Sequence, residues 1–175
     1  MDKEAIAKRY ASAIYDIAES SYKIGEIREA LNILAENYNE DEEFKVFLLD
    51  PSIKYDEKVK YLHKSFDFIS EDAFKIINYL VKKGRVPLAE KIKDSYLKIY
   101  YEKNNKILVN ATFTKELSDN QREALMKKLE EKYKKKIVLN LSVDEELIGG
   151  GIIKIGNKVI DGSIKSQIEN IKKIF

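Results

Sequence analysis

Residues able to do chemistry are sparse in this chain. The richest stretch is GGGIIKIGNK, Gly149 to Lys158, in which Gly151 and Gly156 have the spacing of a phosphate-cradling loop. Such a loop needs a lysine directly after its second glycine, then Ser or Thr, and it opens a helix. Here Asn157 takes the lysine's place, Lys158 is displaced by one, no hydroxyl follows, and the chain runs on as Val159-Ile160-Asp161. That continuation is a strand, so the stretch reads as a hairpin rather than a nucleotide site. His63 is the only histidine and cysteine is absent. Thiol catalysis, thiolate metal sites and disulfides are therefore excluded, and His63 has no partner for metal binding. No G-x-S-x-G elbow exists for a serine nucleophile. The carboxylates fall in runs such as Asp41 to Glu43 and Asp144 to Glu146, without the spacing of a metal loop. No catalytic residue, cofactor or metal is expected.

What remains is binding. The basic run Lys127-Lys128, Lys132 and Lys134 to Lys136 raises an RNA-binding alternative. Glu130 and Glu131 interrupt it, and Glu123–Lys127 and Glu130–Lys134 are favourable i,i+4 pairs. These features also describe a solvated helix face. The first helix is apolar on more than one side: Ile6, Tyr10, Ala13, Ile14 and Ile17 on one face, Ala7, Ala11, Tyr15 and Ala18 elsewhere. Either it is central and buried all round, or part of it forms a groove for a partner's amphipathic helix. Ile76, Ile77 and Leu80 pose the same question in the fifth helix.

The elements that must position these residues are legible in the periodicity. Stripes at spacings of three and four mark helices, such as Ile24, Ile27, Leu31, Leu34 and Tyr38. Asp41, Asp56 and Ser70 are expected N-caps. Pro51 stops the third helix, because proline disfavours α at the residue before it. Gly84 is the expected C′ residue of the fifth helix, and Pro87 opens the sixth. After Asn104-Asn105 the pattern changes. Strands are expected at 106–114, 136–143, 152–155 and 158–161, with a helix between the first two capped by a Ser118/Gln121 box. Gly156-Asn157 makes the hairpin turn, and Ser163 caps a final helix with Ile164, Ile168, Ile171 and Phe175 in one apolar stripe. The expected fold is mainly α with an α+β C-terminal part: a six-helix bundle over 1–105, then a small α+β domain over 106–175.

At 175 residues, the chain is 44 % apolar, 35 % charged and +2 overall. This composition suits a helix-rich protein with a packed core and solvated faces. Residues 1–105 hold 18 Lys/Arg against 20 Asp/Glu, and residues 106–175 hold 14 against 10. The halves are thus −2 and +4 and are expected to face different partners. No signal-peptide h-region opens the chain and no apolar run reaches the ~20 residues of a membrane span. A cytoplasmic protein is expected, held at any membrane only by another chain.

Three motifs carry a family resemblance. Gly149, Gly150, Gly156, Val159, Ile160, Asp161, Gly162 and Ser163, followed by a basic amphipathic helix, resemble the C-terminal signature of the δ subunits of F-type ATP synthases, whose mitochondrial counterpart is the oligomycin-sensitivity-conferring protein. RYASAIYDIA, Arg9 to Ala18, is similar to the family's opening helix, with Tyr10, Ala11, Ala13 and Tyr15 in the matching places. Lys82 to Ile92 resembles the junction between its fifth and sixth helices, with Gly84 and Arg85 matching and Val86 replacing the usual leucine. The resemblance covers the whole chain. It implies a non-catalytic stator subunit, one copy per complex, joining the catalytic head to the peripheral stalk so that rotor torque drives proton-coupled ATP synthesis. It implies that the helical domain binds the N-terminal helices of α subunits, which points to Tyr10, Ala13, Ile14, Ile17, Ile76, Ile77 and Leu80. It implies that the C-terminal domain binds the b subunits, which points to Lys154, Lys158, Ile164 and Ile168. The location implied is peripheral, on the cytoplasmic face of the cell membrane, without membrane insertion or nucleic acid.

Overall fold

The computed structural model describes residues 2–164 together with Ser166 and Ile168. The chain forms two compact units, Met1–Tyr100 and Tyr101–Phe175. Seven α-helices lie among the described residues. Six precede the sheet and the seventh lies inside the second unit, so an expected count of six describes the first unit alone.

The first unit contains α1 (Lys3–Ser20), α2 (Ile24–Glu40), α3 (Glu42–Leu49), α4 (Tyr55–Ser65), α5 (Glu71–Lys82) and α6 (Ala89–Lys103). Asp2, Asp41 and Ser70 cap α1, α3 and α5 by accepting backbone N–H groups. Asp56 does not cap. Helix α4 starts two residues earlier than an Asp56 cap would allow, at Tyr55 after Lys54, and Asp56 instead sits in the first turn, where its charge suits the helix dipole. Lys58 Nζ ties off α3 by donating to the carbonyls of Leu48 and Asp50, both at 2.7 Å. Gly84 has φ 62°, and Arg85 N–H returns to Leu80 O at 2.8 Å, closing α5. A 3-10 turn, Val86–Leu88, holds Pro87 and leads into α6. Proline opens this turn rather than α6 itself.

The core of this unit joins every helix: Ala7, Ala11, Ala18, Leu31, Leu34, Phe44, Leu62, Ile77, Leu80 and Ile92 are all buried. At its centre Tyr15 and Tyr96 pack with ring centroids 5.2 Å apart. Tyr96 Oη donates to Ile24 O at 2.9 Å, fastening α6 to the start of α2. Burial, then the neighbouring Tyr15, pushes the Tyr96 hydroxyl far above its ordinary pKa, which keeps it a donor.

In the second unit the strands are β1 (Lys106–Phe113), β2 (Lys136–Val143), β3 (Gly151–Ile155) and β4 (Lys158–Asp161), in the order β2-β1-β3-β4. Between β1 and β2, which are parallel, runs α7 (Asp119–Tyr133), opened by the Ser118/Gln121 capping box. Strands β3 and β4 are antiparallel additions. Alternation puts Ile107, Val109 and Ala111 on the face that α7 covers with Leu125, Leu129 and Tyr133. On the other face Asn140 donates to Asn110 at 3.0 Å and Thr112 and Ser142 share a hydrogen bond of 2.9 Å. These polar pairs lock the β1–β2 register.

Candidate partner-binding surfaces

Two surfaces hold the residues singled out above. The first lies on α1 and α5. Helix α1 buries Ala7, Ala11, Ile14, Tyr15 and Ala18. Its outward row is Ile6, Tyr10, Ala13 and Ile17, spaced four, three and four. Of these Tyr10 is half-buried, Ala13 is exposed and Ile17 is 51 % exposed. Ala7, Ala11 and Ala18 therefore face the core beside Ile14 and Tyr15, while Ala13 and Ile17 face out. Ile14 belongs with the buried row, because one residue is about 100° of rotation on a helix. It separates from Ala13 for that reason.

Helix α5 divides in the same way. Ile77 and Leu80 are wholly buried and Ile76 nearly so at 8 %. These three build the core and offer little outer surface. The exposed apolar residue of α5 is Tyr79, at 51 %. It meets Tyr10 of α1 with ring centroids 6.2 Å apart, and Lys83 Nζ lies 5.6 Å over its ring. Tyr79 is thus the residue of α5 that meets the outward row Ile6, Tyr10, Ala13, Ile17 on α1. Tyr79 was missed in the sequence, although its spacing of three from Ile76 would have placed it.

The second surface is built around the glycine motif, whose work is backbone crossing. A side chain on Gly150 would collide with the carbonyl of Gly162, and one on Gly151 with the ring of Phe113. Gly150 also has φ 79°. Through this close approach Gly162 N–H donates to Gly151 O at 2.9 Å and Ile164 N–H to Gly149 O at 3.1 Å. Asp161 accepts from Ser163 N–H at 2.9 Å. Those bonds, backbone first, hold its carboxyl below the usual carboxylate range. Ser163 is 3 % exposed, and its Oγ accepts from Ser166 N–H at 3.2 Å, the expected cap. Gly156 turns the hairpin with φ 56°. The glycine stretch therefore joins strand to strand and opens no helix after Gly156, unlike a phosphate loop.

Lys154 and Lys158 are both exposed, but the β3–β4 register sets Lys154 opposite Val159 and Lys158 opposite Ile155. They project from opposite faces of the hairpin and do not form one patch. Ile164 and Ile168 are exposed at 41 % and 46 %. Ile171 and Phe175 lie outside the described residues.

The remaining candidates stay apart from any site. His63 rests edge-on against Phe74, centroids 5.0 Å apart. Among the described residues no three His, Cys, Asp or Glu side chains are grouped to hold a metal ion. Lys127, Lys128, Lys132 and Lys134 to Lys136 are exposed, Lys132 over the Tyr133 ring. Among the described residues no helix is long and apolar enough to cross a membrane.

Comparison with known proteins is consistent across the whole length. Residues 6–175 match the family model described as ATP synthase delta (OSCP) subunit. A protein of Fusobacterium nucleatum named ATP synthase subunit delta is 43 % identical over 173 residues, covering 99 % of each chain. One of Propionigenium modestum, named ATP synthase subunit delta, sodium ion specific, is 42 % identical with the same coverage. A chain in the cryo-EM structure of the Toxoplasma gondii mitochondrial ATP synthase hexamer shares the fold, with a TM-score of 0.73 at 16 % identity over 95 % of each chain. None of these matches supports the RNA-binding alternative.

Proposed function

This chain belongs to the ATP synthase delta (OSCP) family, a non-catalytic subunit of the peripheral stalk, and from that premise we propose how its two units divide the work. The helical unit grips the N-terminal helices of α subunits with the outward row of α1 and Tyr79 of α5. The observation carrying this is the Tyr10–Tyr79 contact, which adds the exposed Tyr79 of α5 to the outward row of α1 in one apolar strip. Such a strip suits an amphipathic helix laid along it. Tyr10, Ala13, Ile17 and Tyr79 make the contact, while the buried Ile14, Ile76, Ile77 and Leu80 support it from the core.

The C-terminal unit grips the b subunits of the stalk through Ile164 and Ile168, with Lys154 and Lys158 reaching acidic side chains on either side of the hairpin. One copy works in each complex, peripherally on the cytoplasmic side. Held at both ends, it stops the catalytic head turning with the rotor.

The test is calorimetric titration of the full chain with a peptide of the same organism's α-subunit N-terminus. Saturable binding is expected, and Ala13→Asp should abolish it by placing a charge in the apolar strip. Undiminished binding by that variant would move the site off α1. No binding by the wild-type chain would remove the proposed division of labour.

A further inference from the structure

We propose that β2 is an open sheet edge through which two copies of this chain pair, antiparallel, strand against strand. Strand β2 ends the sheet on one side. Its phase is fixed by two flanking bonds: Lys136 N–H donates to Asn105 O at 3.2 Å, and Asp144 N–H to Phe113 O at 2.8 Å. Even-numbered residues of β2 therefore turn their N–H groups toward β1, and odd-numbered ones turn theirs outward. Of the outward groups, Ile137 N–H is taken by Glu130 Oε1 at 3.3 Å. Leu139, Leu141 and Val143 present theirs to a new strand. The other edge of the sheet, β4, is half as long and begins with Lys158, the short, charged kind of edge that discourages pairing. Strand β2 spans eight residues, and Val143 is 47 % exposed.

Charge selects a second copy as the occupant. Lys134, Lys135 and Lys136 stand exposed at one end of β2, and Asp144, Glu145 and Glu146 at the other. Among the described residues no ion pair engages any of the six. A parallel copy would set like charges together. In an antiparallel copy with Asn140 opposite Asn140, Lys136 faces Asp144 of the second copy, and the flanking Lys134 and Lys135 lie at the same end as its Glu145 and Glu146. The same register sets Leu139 opposite Leu141 of the second copy. Both have outward N–H groups, so the pair exchanges both of its backbone bonds. A slip of one residue breaks this phase, and a slip of two moves Lys136 away from Asp144. Hydrogen-bond phase and charge thus choose one register independently. The contact is one strand wide, placing it among weak interfaces below about 1,200 Å², a state of the free chain that is separate from the stator role.

Sedimentation velocity on the full chain over a concentration series tests this. A monomer–dimer equilibrium is expected, weakening roughly tenfold as salt screens the exposed charges. Amide exchange should slow with concentration at Leu139, Leu141 and Val143 and stay unchanged at Val138, Asn140 and Ser142. Two triple variants sharpen it: Lys134→Glu/Lys135→Glu/Lys136→Glu, and Asp144→Lys/Glu145→Lys/Glu146→Lys. Each should be monomeric alone, and their mixture should pair. Leu141→Pro removes one outward donor while sparing the bonds to β1, and should also be monomeric. Should any variant misfold by circular dichroism, the wild-type exchange pattern decides. A wild type monomeric throughout with no concentration-dependent exchange, or a mixture no better associated than either variant alone, overturns the proposal.

Discussion

The glycines of this chain differ sharply in what a methyl group would do to them. At Gly150 it would strike the Gly162 carbonyl and oppose φ 79°. Gly150→Ala should therefore destabilise the second unit by more than ~1 kcal/mol, seen as a lower urea midpoint for a probe in the sheet. Gly25 lies in the first turn of α2 with open space around it and no positive φ. Gly25→Ala should instead stabilise the first unit by up to about 1 kcal/mol, and equal effects at the two sites would sink the distinction. Tyr96→Phe removes the bond to Ile24 O and should cost about 1 kcal/mol, measured by thermal unfolding. The special role of the motif glycines was legible in the sequence, since three in a row have few other uses. Their crossing with Gly162 was not, because it depends on where the hairpin returns. Tyr22, 96 % exposed with φ 58°, carried no sequence signal at all.

Helices and strands were legible where local chemistry marks their ends. Asp41, Ser70, Gly84 and the Ser118/Gln121 box all act as their residue types suggest. Asp56 misled because an acidic residue suits the first turn as well as the cap, and α4 starts after Lys54 without any side-chain cap. The orientation of α1 was not legible for a different reason. A helix apolar on several sides has more than one candidate stripe, and only its neighbours decide that Ala7, Ala11 and Ala18 go in while Ile17 stays out. Between elements, the ion pair of Lys23 and Asp72, 2.8 Å apart, joins the starts of α2 and α5. Lys23, by hydrogen bond and then charge, lowers the Asp72 carboxyl from its usual 3.8, and Asp72 raises Lys23 from 10.5. A lowered carboxylate stabilises the fold above its unfolded pKa and loses that contribution as pH falls through the folded one. The stability gap between wild type and Asp72→Asn should therefore be level near neutrality and close below pH 3.8. It should also narrow above pH 10.5, as Lys23 loses its proton. Denaturation at several pH values checks both limbs, and a gap independent of pH would remove the pair's role.

Across the whole molecule, the two units hold their folds by very different amounts of buried surface. The first has a core drawn from all six of its helices. The second, among the described residues, rests on Val109, Leu129 and Ile137 with half-buried neighbours around them. Burial stabilises by roughly 25 cal/mol per Å² of apolar surface, and hydrogen bonds alone add little net. The sheet should thus open before the helical unit does. Native-state amide exchange on the free chain should give Val109 a smaller opening free energy than Leu31, and denaturant should separate the two transitions rather than merge them. A partner seated on the second unit should raise its protection and leave that of Leu31 unchanged, since a ligand stabilises only the state it binds. If instead both probes shift together on adding such a partner, the units open as one body. The stator reading asks for separate opening, because one grip should be able to form before the other while the complex is assembled.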